Sequence, residues 1–192
     1  EEVLMVDPGR LNFALYKNIP ENVKKVEERN PAILFKCVKN PTEVENIRIA
    51  EIKDSVAHVR FMKWLKENVG KETITEMSAS DKLDEFRAEM GGFIRPSFGP
   101  ISAFGEHSAI VHYSSSPETD VELHEESFLM TDTGAGFYEG STDITRTYAF
   151  GEVSQIMKDH FTLVAISNLN LASPIFKKGC CGMNFDYLAR KP

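Results

Sequence analysis

Helices first, then antiparallel strands, then helices again: this order of predicted elements assigns the chain to the α+β class rather than to an alternating βαβ fold. Three observations predict it. Asn40-Pro41-Thr42-Glu43 opens a long helix, Leu129–Phe150 reads as strands joined by a glycine-rich hairpin, and after Gly151 the apolar spacing returns to helical.

Taken in order, Val3-Leu4-Met5-Val6 has the pattern of a short buried strand ending at the turn Asp7-Pro8-Gly9. Ala32-Ile33-Leu34-Phe35 is a second apolar run, and a polar stretch with Pro20 and a short helix lies between them. Residues 1–37 therefore read as the last strands of a domain that begins further upstream. At Asn40 the texture changes. An N-cap side chain, proline at the first helical position and a glutamate three residues past the cap start a helix. Ile47, Ile52, Val56, Val59, Met62 and Leu65 continue it at helical spacing up to Gly70. A second helix is predicted from Thr75 to Met90, closed by Gly91-Gly92. Strands follow near Phe93–Ser97, Ala109–Tyr113 and Ser127–Asp132, then a hairpin turning near Glu139-Gly140 and a β-rich run Asp143–Phe150. Helices close the chain at Glu152–Leu171 and Phe185–Ala189.

Composition narrows the partners. The net charge of −7 leaves no basic stripe for phosphates, which speaks against nucleic acid. No run of ~18 apolar residues is present, so no membrane-spanning helix is expected. Cys37, Cys180 and Cys181 make neither a disulfide framework nor a CxxC metal site; reduced thiols fit a cytoplasmic protein, and the vicinal pair reads as small buried or half-buried side chains.

The chemistry concentrates in LMTDTGAGFYEGSTDITRTYAF, where Asp143 follows Asp132 by eleven residues across the hairpin. Both carboxylates sit in segments that look buried, and a buried ionised carboxylate needs a partner or a metal. Two brought together repel unless a cation lies between them, and hard divalent ions such as Mn²⁺ or Mg²⁺ suit oxygen ligands. A two-residue turn at Glu139-Gly140 would pair Asp132 with Thr147. The aspartates would then share a face but stand roughly 13 Å apart at strand rise, unless a bulge at Gly134 or Gly136 brings them closer. Thr145 reads as a residue able to orient a ligating carboxylate by a hydrogen bond. The plainer reading keeps Asp132 and Asp143 as turn-flanking residues bonded to nearby amides. Likewise, His112 on an apolar strand reads as a hydrogen-bonded structural histidine, and His107 as a loop residue. His58, His124 and His160, in polar, helical or turn contexts, receive no role.

Asp132-Thr-Gly-Ala-Gly through Gly140-Ser-Thr-Asp143-Ile-Thr-Arg-Thr147 resembles the DSGA…GTTDVTRT signature of the Xaa-Pro aminopeptidases, which are pita-bread metallopeptidases. Lys39–Glu43, Phe86-Arg87, Ser97-Phe98 and Ala109–Tyr113 extend the resemblance over essentially the whole chain. It implies the first half of a pita-bread catalytic domain over residues 38–192, preceded by the end of a creatinase-N-like domain over 1–37. By this resemblance Asp132 and Asp143 bind a pair of Mn²⁺ ions, and His112 contacts substrate near the scissile bond. The substrates implied are peptides with proline in second position, and the N-terminal residue is the one released. Thr133 replaces the usual serine, and Phe104-Gly-Glu-His107 replaces the usual TGPN-like turn. In the family a histidine and two glutamates complete the ligand set, and nothing after Asp143 resembles the segment that carries them. The chain therefore reads as a fragment, inactive alone and expected to associate as a homodimer or with the missing half. A prolidase, a methionine aminopeptidase, or a catalytically dead pita-bread module binding peptides or histones would share part of this pattern.

Overall fold

The computed structural model describes residues 2–192, and the chain divides into two compact units, Glu1–Asn46 and Ile47–Pro192. In the first unit, β1 (Val3–Val6) is followed by α1 (Phe13–Lys17), and β2 (Lys24–Glu27) pairs with β1 in parallel. The apolar run at Ala32–Phe35 is not a strand. It lies inside α2 (Pro31–Cys37), where Asn30 accepts the Ala32 N–H and proline occupies the first helical position. That is the cap-and-proline signal of a helix start, and a short apolar run does not by itself distinguish strand from helix.

Helix α3 (Pro41–Asn68) begins as the sequence predicts. The Asn40 side chain accepts the Glu43 N–H at 2.9 Å, and the Glu43 carboxylate accepts the Asn40 N–H at 2.8 Å. Of the predicted stripe Leu65 is buried, together with Ala50, Asp54, Ala57, His58 and Phe61, whereas Ile52 and Val59 are 65% and 60% exposed. Helix α4 (Glu76–Glu89) is capped by Thr75 and followed by Gly91 and Gly92, whose φ of +74° and +77° few other residues adopt.

The strands after α4 make two small sheets. β3 (Phe93–Pro96) pairs with β6 (Ala135–Phe137), and β4 (Ile101–Phe104), β5 (Ser127–Thr133) and β7 (Ile144–Phe150) form an antiparallel sheet in the order β4-β5-β7. One face of that sheet carries the core. Leu129, Tyr148, Phe150 and Phe104 pack with Ala57, Phe61 and Leu65 of α3 and with Ala79 and Leu83 of α4. Phe61 meets Tyr148 edge to face, with ring centroids 5.8 Å apart. Each fully buried Leu or Phe contributes roughly 1.5–3 kcal/mol. The predicted strand at Ala109–Tyr113 is absent: residues Gly105–Ala109 form a 3₁₀ turn, and Val111-His112 a further turn. Helix α5 (Gln155–Ala172) has no buried residue, and α6 (Asp186–Arg190) follows it. Cys180 and Cys181 are exposed rather than buried.

Candidate metal centre

The hairpin that carries the two aspartates is not a simple one. After Thr133 the chain leaves β5, and Ala135–Phe137 turns away to pair with β3. Only then does it return as β7, with Thr133 opposite Ile144, Asp132 opposite Thr145 and Met130 opposite Thr147. The register is therefore two residues tighter than a turn at Glu139-Gly140 alone predicts. Residues directly opposite share a face, so Asp132, Thr145 and Thr147 lie together. Asp143 lies two residues before Thr145, one residue beyond the end of this ladder.

Burial alternates accordingly. Thr131, Thr133, Thr142, Ile144 and Tyr148 are buried against the helices, whereas Asp132 is half-buried and Asp143, Thr145 and Thr147 are exposed on the other face. The carboxylates thus stand on the open face, and the expectation that they are buried is corrected. The Thr145 hydroxyl donates to Asp132 Oδ1 at 2.9 Å, which fixes that carboxylate's orientation.

Gly134 makes the close crossing possible. A Cβ there would fall 2.1 Å from Ser97 Oγ and 2.2 Å from the Thr142 carbonyl oxygen. The strands touch at this point through Ser97 N–H to Gly134 O, 2.9 Å, and the Ser97 hydroxyl to Thr142 O, 2.9 Å.

Beneath the aspartates lies a buried polar network: Arg87, Thr133, Thr142 and Tyr148 belong to stretches that the sequence singled out, whereas Asp54 and His58 had no role there. Asp54 and Arg87 are 0% and 1% exposed. Arg87 grips Asp54 with two bonds, Nε to Oδ1 at 2.8 Å and Nη2 to Oδ2 at 3.2 Å, and donates to Asp84 at 3.1 Å. Arg87 Nη2 also donates to the Thr133 hydroxyl at 2.9 Å, and the Thr142 hydroxyl donates to Asp54 Oδ2. His58 lies in the same network, 3.4 Å from Arg87 Nη2 through Nε2 and 3.2 Å from the Tyr148 hydroxyl through Nδ1. Arginine can only donate, so Nε2 accepts and the proton belongs on Nδ1. Burial pushes the His58 imidazole down to about 4; Asp54 opposes the shift, and Arg87 and Arg146 add to it.

A second buried carboxylate, Glu76 at the start of α4, organises the segment that carries His112. It accepts the Phe104 N–H at 2.6 Å, a hydrogen bond from His107 Nδ1 at 2.9 Å and the Tyr113 hydroxyl at 2.8 Å. His107 stacks on Tyr113 with centroids 4.6 Å apart. His107 is thus more than a loop histidine: in place of the TGPN-like turn it docks the loop onto α4. His112, next to Tyr113, is exposed on its turn with φ +58°, a left-handed conformation rare for non-glycine residues.

Among the described residues no group of three or more His, Cys, Asp or Glu side chains could hold a metal ion. Asp132 and Asp143 are hard oxygen donors of the kind a divalent ion takes, and Asp132 is already oriented by the Thr145 hydroxyl. No helix of the described residues is long and apolar enough to cross a membrane.

Xaa-Pro aminopeptidase 2 of Sus scrofa is 34% identical over 180 residues, covering 94% of this chain and 27% of that protein. Aminopeptidase P1 of Arabidopsis thaliana is 34% identical over 210 residues, covering 98% and 32%. The chain thus spans about a third or less of the length of these relatives. Among solved structures, an X-prolyl aminopeptidase of Caenorhabditis elegans, a cytosolic enzyme with a di-nuclear active site, superposes with TM-score 0.84 at 29% identity, covering 97% of this chain and 30% of that one. A prolidase of Pyrococcus furiosus superposes with TM-score 0.71 at 25% identity, covering 99% and 54%. The fold is the mixed α/β architecture of pita-bread peptidases, present in part. Residues 45–192, most of the chain, match the family pattern directly, and on that match the chain belongs to metallopeptidase family M24.

Proposed function

We propose that this chain supplies the first part of the active site of a metallo-aminopeptidase that releases the N-terminal residue from peptides with proline in second position. Asp132 and Asp143 would be two ligands of a pair of divalent ions, Mn²⁺ in this reading. One observation supports it: the detour through β6 sets Asp132 opposite Thr145, and Asp143, just beyond the end of that ladder, is exposed like Thr145 while its neighbours Thr142 and Ile144 are buried. Two carboxylates brought together on that face would favour a shared cation over mutual repulsion.

A pair of divalent ions supplies an activated water and a polarised carbonyl in peptide hydrolysis. The residues of this chain hold and orient. Thr145 keeps Asp132 turned along the face, and His112, on the loop that Glu76 anchors, would contact substrate near the scissile bond. The remaining ligands, a histidine and two glutamates by family resemblance, would come from sequence outside this chain. Residues 1–37 would close a separate preceding domain, with residues 38–192 forming the first half of the catalytic domain in a cytoplasmic enzyme.

The test titrates Mn²⁺ into this chain and into a protein carrying it at the relatives' full length, and assays both on Xaa-Pro-Xaa tripeptides and Xaa-Pro dipeptides. The isolated chain should bind Mn²⁺ weakly and cleave neither. The longer protein should bind tightly and cleave the tripeptide, and Asp143→Ala in it should abolish both properties. Cleavage confined to the dipeptide would indicate a prolidase, and full activity of the isolated chain would refute the assignment.

A further inference from the structure

We propose that the buried Asp54–Arg87 pair is a positioning device for the two metal-binding carboxylates, acting through the hydroxyls of Thr133 and Thr142. The inference rests on the reading of Asp132 and Asp143 as ligands. Thr133 directly follows Asp132, and Thr142 directly precedes Asp143. Neighbours along a strand point to opposite faces, so each aspartate on the open face has a threonine beside it pointing inward. Both threonines end on the same ion pair: Arg87 donates to the Thr133 hydroxyl, and the Thr142 hydroxyl donates to Asp54.

Strand pairing does not by itself locate Asp143. The β5–β7 ladder ends at Thr133 opposite Ile144, and Asp143 lies one residue beyond it. Thr142 holds this end instead. Its hydroxyl accepts the Ala135 N–H at 2.9 Å, its own N–H reaches Ala135 O at 2.9 Å, and its carbonyl accepts from Ser97 at 2.9 Å. The doubly bonded guanidinium and carboxylate make a planar, stiff unit, so the span from Thr133 to Thr142 is set on the inner face. The separation of Asp132 and Asp143 on the outer face follows from it. Stability alone accounts poorly for the arrangement, because a buried ion pair is often no better than apolar residues of the same volume.

The experiment uses the full-length protein with Mn²⁺ as the probe, and reads its dissociation constant by calorimetry beside the melting temperature of the metal-free form. Thr133→Val and Thr142→Val keep the side-chain volume and remove the hydroxyl. Each should weaken Mn²⁺ binding ~10-fold or more, while Thr133→Ser and Thr142→Ser should stay within ~2-fold. Valine variants that melt lower yet bind Mn²⁺ like the parent would overturn the proposal, leaving the network a purely structural one. Should a valine variant not fold, Arg87→Lys keeps the charge without the planar fork, and unchanged Mn²⁺ affinity in it would overturn the proposal equally. Asp143→Ala separates the two levels. If that variant binds Mn²⁺ as the parent does, the ligand assignment itself is wrong and the positioning role falls with it.

Discussion

His58 is the residue whose chemistry differs most from its appearance in the sequence. Neutral in the folded protein, with its pKa pushed down by burial to about 4, it stands near 6.5 once unfolded. Below pH 6.5 the unfolded chain takes up a proton that the folded chain refuses. The stability contribution is therefore complete above 6.5, is lost as pH falls from there to about 4, and is flat below. Its upper bound is about 3 kcal/mol. Urea unfolding of wild type and His58→Gln should accordingly converge as the buffer moves from pH 7 to 4.5; parallel curves would show that His58 is not the titrating group. Gly134 gives a second test. An added methyl collides with a backbone oxygen and with Ser97, so Gly134→Ala should cost about 1–3 kcal/mol or more. Gly99→Ala, where a Cβ meets nothing within 4 Å, should be close to neutral in the same denaturation assay.

Among the elements, α4 does more than cover the sheet, because its first residue holds the His112 loop. Glu76→Ala would leave the Phe104 N–H, His107 and Tyr113 without their shared acceptor, at a cost of roughly 2–4 kcal/mol. Limited proteolysis should then find residues 105–113 cleaved faster than in the parent; an unchanged digestion pattern would mean the loop is held by other contacts. The start of α3 was legible because capping is a local matter of side chains three residues apart. Its inward face was not, because the helix carries two apolar stripes and only the position of the sheet decides between them. Periodicity favoured Ile52, Val56 and Val59, yet the sheet meets the side that carries Asp54 and His58, whose partners Arg87, Thr142 and Tyr148 lie far along the chain. The site divides in the same way. Asp132 and Asp143 stood out by their glycine-rich setting, but their register depended on β6 pairing with β3, a long-range choice that no local pattern records. The strand expected at Ala109–Tyr113 failed for a related reason: Glu76 captures Tyr113 and folds the segment back.

At the scale of the whole molecule, α5 leaves Ile156, Phe161, Val164 and Leu169 exposed, and Ile52, Val56 and Val59 of α3 are exposed as well. Exposed apolar surface of this kind promotes association. The isolated chain is therefore expected to sediment above its 21.6 kDa monomer mass, as a homodimer or with a retained second half. Adding the rest of the catalytic domain should suppress that self-association. A clean monomer with no co-purifying fragment would count against it.

The span of the Asp54 network along the chain also orders events in time. Asp54 and Arg87 are separated by 33 residues, Thr133 follows Arg87 by 46, and Thr142 follows Asp54 by 88. Contacts this distant slow folding, because long loops must close before they are rewarded. On a ribosome, α3 and α4 emerge with their charges able to pair long before either threonine is synthesised. The helical pair is thus expected to form first and the crossing at Gly134 late. Substitutions at Thr142 should accordingly speed unfolding and leave the refolding rate nearly untouched, whereas core substitutions at Phe61 or Leu83 should slow refolding.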